Sequence, residues 1–274
     1  MTLPDTFDIR NSEKYVMSIR FRPGGLSFSV SNPGEQNTFY YRDIDFACPS
    51  RLSYIEHIKE FFFVNEMMTA PYKKTNVIQV SPRYTLVPGE ISMEKPSAFY
   101  AFNFSGSDGY KVLDKPVGKK NVQVVFSLEE VIYEFCFRTL ANPVFVPHIL
   151  PLLEYWLNQS RFGLQKHMFV NLHEKVADIV CAHQGKLLFA NTFSYEHPDD
   201  IVYYIIYVWK QLEMEQLSDS IYVFGETEVK KQIMEIIRNY IRKVFMMEIP
   251  SDVLLWGEDT LNAPLDLITL LLCE

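Results

Sequence analysis

The sequence predicts an α/β protein in which one order of elements occurs twice: a three-stranded meander, a helix and a further strand. Residues 17–31 alternate strictly between apolar and polar side chains, which is typical of a half-buried hairpin. A second hairpin pattern starts at residue 167, and the same types of element follow it. The chain has 274 residues, of which 48% are hydrophobic, so it is long enough for two cores.

The first hairpin is predicted to turn at residues 24–25, because glycine suits the positive φ of a primed two-residue turn. In that register Arg22 faces Ser27 and Arg20 faces Ser29, so polar side chains meet across the two strands. We expect this polar face to be solvated. The alternative is that its arginines bind an anion, since guanidinium groups suit phosphate.

The rest of the first half continues the α/β pattern. Ser50 is the predicted N-cap of a helix, and Ser127 is the predicted cap of a later helix. Residues 83–120 are rich in turn formers, and their order is not predicted. The predicted elements are strands at 38–46, 76–82, 121–127 and 143–149, and helices at 51–67, 129–140 and 150–160.

The second half repeats the opening. The predicted strands are 167–173, 176–182, 187–195, 219–226 and 244–250, with helices at 197–214, at 228–244 with Thr227 as its cap, and at the C-terminus. A tight turn at residues 174–175 would place Asn171 opposite Asp178. The helix around residues 201–212 is apolar nearly all round, so we expect it to be buried on more than one side, inside the protein or at a homodimer seam.

A meander followed by a helix and a strand begins a ribonuclease-H-like unit, and two such units in tandem make the actin-like ATPase architecture. On this element order the chain resembles an uncharacterised bacterial family, a domain of unknown function, with a fold similar to the actin-like ATPases. It is also similar to degenerate members of the superfamily of sugar kinases, heat-shock chaperones and actin. The predicted domains are 1–163 and 164–274, both ribonuclease-H-like.

The resemblance implies a nucleotide site, but the matching motifs are degraded. Active members carry an aspartate and a glycine-rich turn in the first hairpin of each domain, where these groups hold phosphates and magnesium. Here Arg22 lies on a first hairpin without a carboxylate, Asn171 takes the acid position of the second, and His173 takes a glycine position. Gly225 is alone where active members often have two or more glycines.

The sequence therefore predicts a binding or assembly protein with degenerate nucleotide-binding motifs. It argues against an enzymatic activity. Two alternatives remain open: an ATP-dependent phosphotransferase or ATPase that uses replacement residues, and a dimerising structural protein without a small-molecule ligand. In the first alternative ATP and magnesium would be bound in the cleft. The candidate cleft residues are Asn171, Asp178, Lys175, Gly225 and Arg22.

Composition excludes several other classes. The net charge of −8 argues against nucleic acid as a partner, and no apolar run approaches the ~20 residues of a membrane span. The four cysteines are widely spaced, and no basic and apolar leader is visible, so we expect free thiols and a cytoplasmic location. No metal site is predicted. The weaker alternative is a zinc ion held by His167, Cys181 and His183.

Overall fold

The computed structural model describes residues 7–46, 50–91, 96–106, 108–118, 122–173, 175–225 and 227–273. The chain divides into two compact units, Met1–Leu150 with Pro250–Ala263, and Pro151–Ile249 with Pro264–Glu274. These units differ from the predicted domains, because residues 151–163 belong to the second unit and 250–263 to the first. Backbone hydrogen bonds tie the returning segment to the first unit: Asn37 N–H donates to Leu255 (3.1 Å) and Phe39 N–H to Trp256 (2.9 Å).

The first unit contains a five-stranded sheet in the order β3-β2-β1-β4-β8. The meander is antiparallel, whereas β4 and β8 run parallel to β1, so helical crossovers connect them. The strands are β1 (Val16–Arg22), β2 (Gly25–Ser31), β3 (Tyr40–Asp45), β4 (Lys74–Gln79) and β8 (Pro143–Pro147). The helices are α1 (Arg51–Val64), capped by Ser50 as predicted, and α3 (Glu130–Thr139).

The hairpin register predicted from the sequence is wrong by two residues. The strands pair Arg22 with Gly25 and Arg20 with Ser27, so the turn is Pro23–Gly24. A shift of two residues keeps polar side chains opposite polar ones, because the side-chain period of a strand is two, so alternation could not distinguish these registers. Gly24 takes the positive φ of +76°, and a Cβ on Gly25 would overlap the Ile44 carbonyl oxygen.

The prediction of a solvated polar face on this hairpin is also wrong. Ser18 and Ser27 are fully buried, and Arg20 and Ser29 are each 1% exposed. Every residue of β1 and β2 is buried, so both faces of these strands are covered. The polar residues of this alternating pattern therefore lie on a second buried face of the sheet, and not on a solvent-exposed face.

The stretch whose order was not predicted contains part of a second, three-stranded sheet in the order β5-β7-β6. Ser127 does not cap α3 as predicted, because it lies within β7, where its hydroxyl is 2.6 Å from that of Tyr100. Tyr100, Val87 and Val125 form the small core of this sheet. Its elements are β5 (Tyr84–Pro88), α2 (Pro96–Asn103), β6 (Tyr110–Val117) and β7 (Val122–Glu129).

The second unit repeats the strand pattern in the order β11-β10-β9-β12-β13. Its core lies between one sheet face and two helices, and Ile201, Ile205, Ile233 and Ile237 are all fully buried there. The strands are β9 (His167–His173), β10 (Val176–His183), β11 (Lys186–Ser194), β12 (Ser220–Gly225) and β13 (Lys243–Met246). The helices are α4 (Ile149–Gln159, which spans the boundary), α5 (Pro198–Gln211), α6 (Thr227–Ile237), α7 (Ser251–Leu254, first unit) and α8 (Leu265–Leu272).

The sequence predicted that helix α5 is buried on more than one side. Within the chain it is buried on one side only. Ile201, Ile205 and Val208 face the core, but Tyr203 is 64% exposed and Tyr207 52% exposed. The tyrosines contribute apolar character to the sequence pattern while their rings lie at the surface. The homodimer seam stays a prediction. Among the described residues, no helix is long and apolar enough to cross a membrane.

Candidate functional site

The second hairpin brings two predicted site residues together. Asn171 pairs with Asp178 and His173 pairs with Val176 across β9 and β10, which is the register that the sequence predicted. Both residues are on the sheet face opposite the α5–α6 core, since their neighbours Val170 and Ile179 belong to that core. Asp178 is fully buried and Asn171 is 3% exposed, so both side chains are shielded from solvent.

Asp178 is the centre of a buried hydrogen-bond cluster. Its Oδ2 accepts from Asn171 Nδ2 (3.1 Å) and lies 2.7 Å from His173 Nε2, while its Oδ1 accepts from the Thr192 hydroxyl (2.7 Å). A buried carboxylate is stable only when donors replace the water that it has lost, and these donors come from the two strands on either side of Asp178, β9 and β11. We call these four residues the Asp178 cluster.

The His173–Asp178 contact has the geometry of a charge-assisted hydrogen bond. An ionised carboxylate only accepts hydrogen bonds, so Nε2 of His173 carries the hydrogen in this pair. Such a carboxylate fixes the ring orientation and the tautomer of its histidine. The arrangement can position an imidazole for proton transfer, and it can equally join two strands as part of the fold.

Thr192 was missed by sequence reasoning because of a β-bulge. Gln184 and Gly185 form the β10–β11 turn with positive φ at both positions, and a regular ladder from this turn would put Asn191 opposite Asp178. The register shifts after Ala182, leaving Leu188 as the extra residue, so Thr192 faces Asp178 instead. No residue in this stretch signals the bulge beforehand.

Gly225 and Lys175 lie near the cluster in different ways. Gly225 pairs with Leu172 at the end of β12, has a φ of +109°, and carries no Cβ that could overlap the Leu172 carbonyl. Close backbone approach therefore requires this glycine without any ligand. Lys175 forms the exposed tip of the hairpin with a φ of +58°, and its carbonyl accepts from Tyr195 N–H (3.1 Å).

Arg22 is held by carboxylates of its own unit. Its Nη2 lies 2.8 Å from Asp43 Oδ1 and 2.6 Å from Asp45 Oδ1, and its Nε donates to Asp43 at 3.0 Å. Arg22 is 9% exposed, and this pairing fastens the end of β1 to β3. A cavity of about 310 Å³ adjoins Arg22 and Gly24, with Arg51 at its edge paired to Glu129 (3.0 Å).

Lys230 of the second unit is a buried cation near the end of β12. Sequence reasoning also missed this residue. It is 9% exposed, and its Nζ lies 5.9 Å from the ring centre of Phe224, the residue paired with Asn171. Burial, and then the charge of Lys231, lowers the pKa of Lys230. The only available signal was its place in the first turn of the helix after Gly225.

The zinc alternative is wrong because its three residues do not lie on one face. His167 pairs with Ala182, so its side chain is on the face opposite Cys181 and His183. Cys181 packs in the α5–α6 core, where burial strongly raises its pKa. His167 lies against Phe169 and Tyr222, and burial lowers its pKa.

Cysteines 136, 181 and 273 take part in no disulfide, as predicted, whereas Cys48 lies outside the described residues. Cys136 and Cys181 are buried, and Cys273 is exposed.

Comparison with solved structures confirms the fold. A Bacteroides thetaiotaomicron protein with an actin-like ATPase fold and unknown function has 28% identity and a TM-score of 0.84, over 98% of this chain and 100% of that chain. A chain of the PilM–PilN type IV pilus biogenesis complex has 12% identity and a TM-score of 0.57, over 93% and 98% of the two chains. The two sheets thus belong to an actin-like ATPase fold.

The sequence also matches a family model. Residues 4–244 match a family described as protein of unknown function, DUF3822. A search of curated proteins found no significant match.

Proposed function

The chain belongs to the DUF3822 family of proteins of unknown function, and we propose that it is a non-catalytic binding or assembly protein built on the actin-like ATPase fold. The proposal rests on the polar groups at the degraded motifs, which bind one another. A solved neighbour of the same fold is part of a complex for pilus biogenesis, so this fold has a precedent in assembly.

The observation that carries the proposal is that both oxygens of Asp178 are engaged by side chains of its own unit. Its two oxygens already accept from Asn171 and Thr192 and contact His173, and the residue is fully buried. A magnesium ion or its water that bound Oδ2 would have to displace one of the two groups already there, because a carboxylate oxygen accepts about two hydrogen bonds. Such a displacement would leave a buried donor without its acceptor, which costs about 1–3 kcal/mol.

The first hairpin supports the same conclusion. A phosphate would compete with Asp43 and Asp45 for the guanidinium of Arg22, and it would lie close to both carboxylates. Pro23 removes one backbone donor beside Gly24. The described residues therefore do not fit ATP and magnesium in the way that active members of the superfamily bind them.

Phosphate release and calorimetry test this proposal. We expect no heat of binding with ATP and magnesium up to millimolar nucleotide, and phosphate release equal to that of buffer. Asp178→Asn should have the same background as the wild type, as should Asp199→Asn, an exposed control in the same unit. Phosphate release by the wild type that Asp178→Asn abolishes and Asp199→Asn preserves would overturn the proposal.

The second candidate function, an ATP-dependent phosphotransferase or ATPase, is favoured by the His173–Asp178 pair at 2.7 Å. A carboxylate-oriented imidazole is the arrangement of a general base. This candidate predicts that His173→Gln lowers turnover while the protein stays folded, and the phosphate-release assay distinguishes it from the first proposal.

A further inference from the structure

Helices α1 and α3 of the first unit form an apolar groove on its surface. Two adjoining cavities of about 570 and 490 Å³ share Lys59, Phe135 and Thr139, so they make one continuous depression. We call this depression the α1–α3 groove. It is larger than the cavity beside Arg22 and belongs to no motif discussed above.

The floor and wall of the groove are aromatic. Phe62 is buried and meets Phe135 edge to face, with ring centres 5.1 Å apart. Phe63 beside it is 90% exposed, and Val131 on α3 is 49% exposed. A rigid aromatic floor with protruding apolar side chains is typical of a surface that another chain covers.

The rim of the groove is acidic. Its lining carries four carboxylates and two basic groups, and one of these, Arg138, is paired with Glu134 at 3.0 Å. In the part of the chain that the structure describes, no ion pair reaches the carboxylates of Glu60, Glu66 or Glu130. The groove therefore combines an apolar floor with unneutralised negative charge.

We infer that the α1–α3 groove binds a basic amphipathic helix of a partner protein. Apolar side chains at helical spacing would cover Phe63 and Phe135, and flanking Lys or Arg would meet the acidic rim. A second copy of this chain fits less well, because each copy has a net charge of −8. This inference adds a partner class to the proposed binding function, and it does not depend on nucleotide.

Fluorescence anisotropy with two labelled model peptides tests the inference. Both peptides have about four helical turns with leucine at one face, and the other face carries lysine in one peptide and glutamate in the other. The protein variants are Phe63→Ser, the double variant Glu60→Gln with Glu66→Gln, and Phe102→Ser. Phe102 is the matched control, because it is 91% exposed on α2 of the same unit, outside the groove.

We expect the lysine peptide to bind the wild type and Phe102→Ser equally, and about tenfold more weakly to Phe63→Ser and to the double variant. The glutamate peptide should not bind. Equal loss in Phe63→Ser and Phe102→Ser, or equal binding of both peptides, would overturn the inference. So would a self-associated wild type, seen by sedimentation, that Phe63→Ser converts to monomer, because a second copy would then fill the groove. The nucleotide assays are separate, so failure here leaves the proposed absence of catalysis standing.

Discussion

Replacing Asp178 by alanine should destabilise the second unit severely. The substitution leaves Asn171 Nδ2 and His173 Nε2 buried without their acceptor, while the Thr192 hydroxyl can rotate toward another group. Each buried donor without a partner costs about 1–3 kcal/mol. We therefore expect Asp178→Ala to lower the free energy of unfolding by about 3–5 kcal/mol, the range for breaking a buried charged pair.

Asp178→Asn is the matched comparison. Its amide oxygen can still accept from Asn171 and His173, and its NH₂ group can donate to the Thr192 hydroxyl. The variant loses the charge but leaves these donors with an acceptor. Hydrogen bonds to charged groups are roughly twice as strong as neutral ones, so the cost should be about 1–2 kcal/mol.

Urea unfolding followed by tryptophan fluorescence measures both effects. Trp156 and Trp209 lie in the second unit and Trp256 in the first, so a Trp256→Phe background makes the signal report the second unit alone. The reasoning would be refuted if Asp178→Ala cost less than about 1 kcal/mol, or if the alanine and asparagine variants were equally stable.

Three further measurements test other parts of the structure. Gly225→Ala combines a positive φ with backbone overlap and should cost well over ~2 kcal/mol in urea unfolding, whereas Gly24→Ala has open space and should cost about 1 kcal/mol; equal costs would contradict the close approach. Burial lowers the pKa of His167, so the contribution of the neutral imidazole to stability is fully present above the ordinary histidine pKa of about 6.5. This contribution is lost as the pH falls below that value. His167→Phe should lose less stability on acidification than the wild type, and parallel unfolding curves against pH would disprove this. Burial raises the pKa of Cys136 to about 12, so alkylation and mass spectrometry should find this thiol unmodified until the protein is unfolded.

The sequence predicted the elements of the second unit well, because its strands are bounded by clear turns. Strand β9 covers the residues predicted, and the Asn171–Asp178 pairing followed from the tight turn after it. The register of the first hairpin could not be fixed, since alternation repeats every two residues and Pro23–Gly24 competed with the double glycine as the turn. The polar face of that hairpin could not be recognised as buried, because its covering lies outside the local pattern.

Only part of the candidate site could be predicted from the sequence, for a related reason. Asn171 and Asp178 share one hairpin, so their contact is local, but Thr192 reaches Asp178 through a register that a bulge decides. The sequence identified Arg22 as a candidate cation. Its salt bridges to Asp43 and Asp45 could not be predicted, because they depend on the pairing of β2 with β3. Which side chains meet across two strands depends on the strand register. Local sequence determines that register only where the turn is unambiguous.

The bulge at Leu188 couples the length of one strand to the chemistry of another. If β11 kept Leu188 but paired as a regular ladder from the same turn, Asn191 would lie opposite Asp178 and Phe193 would leave the hydrophobic side of the sheet, whereas deletion of Leu188 would leave Thr192 opposite Asp178. A one-residue change in the length of β11 that no bulge absorbs would thus change the buried carboxylate's neighbour without replacing either residue. In an alignment of relatives, the number of residues between the β10–β11 turn and the threonine should therefore carry as much information as the threonine itself.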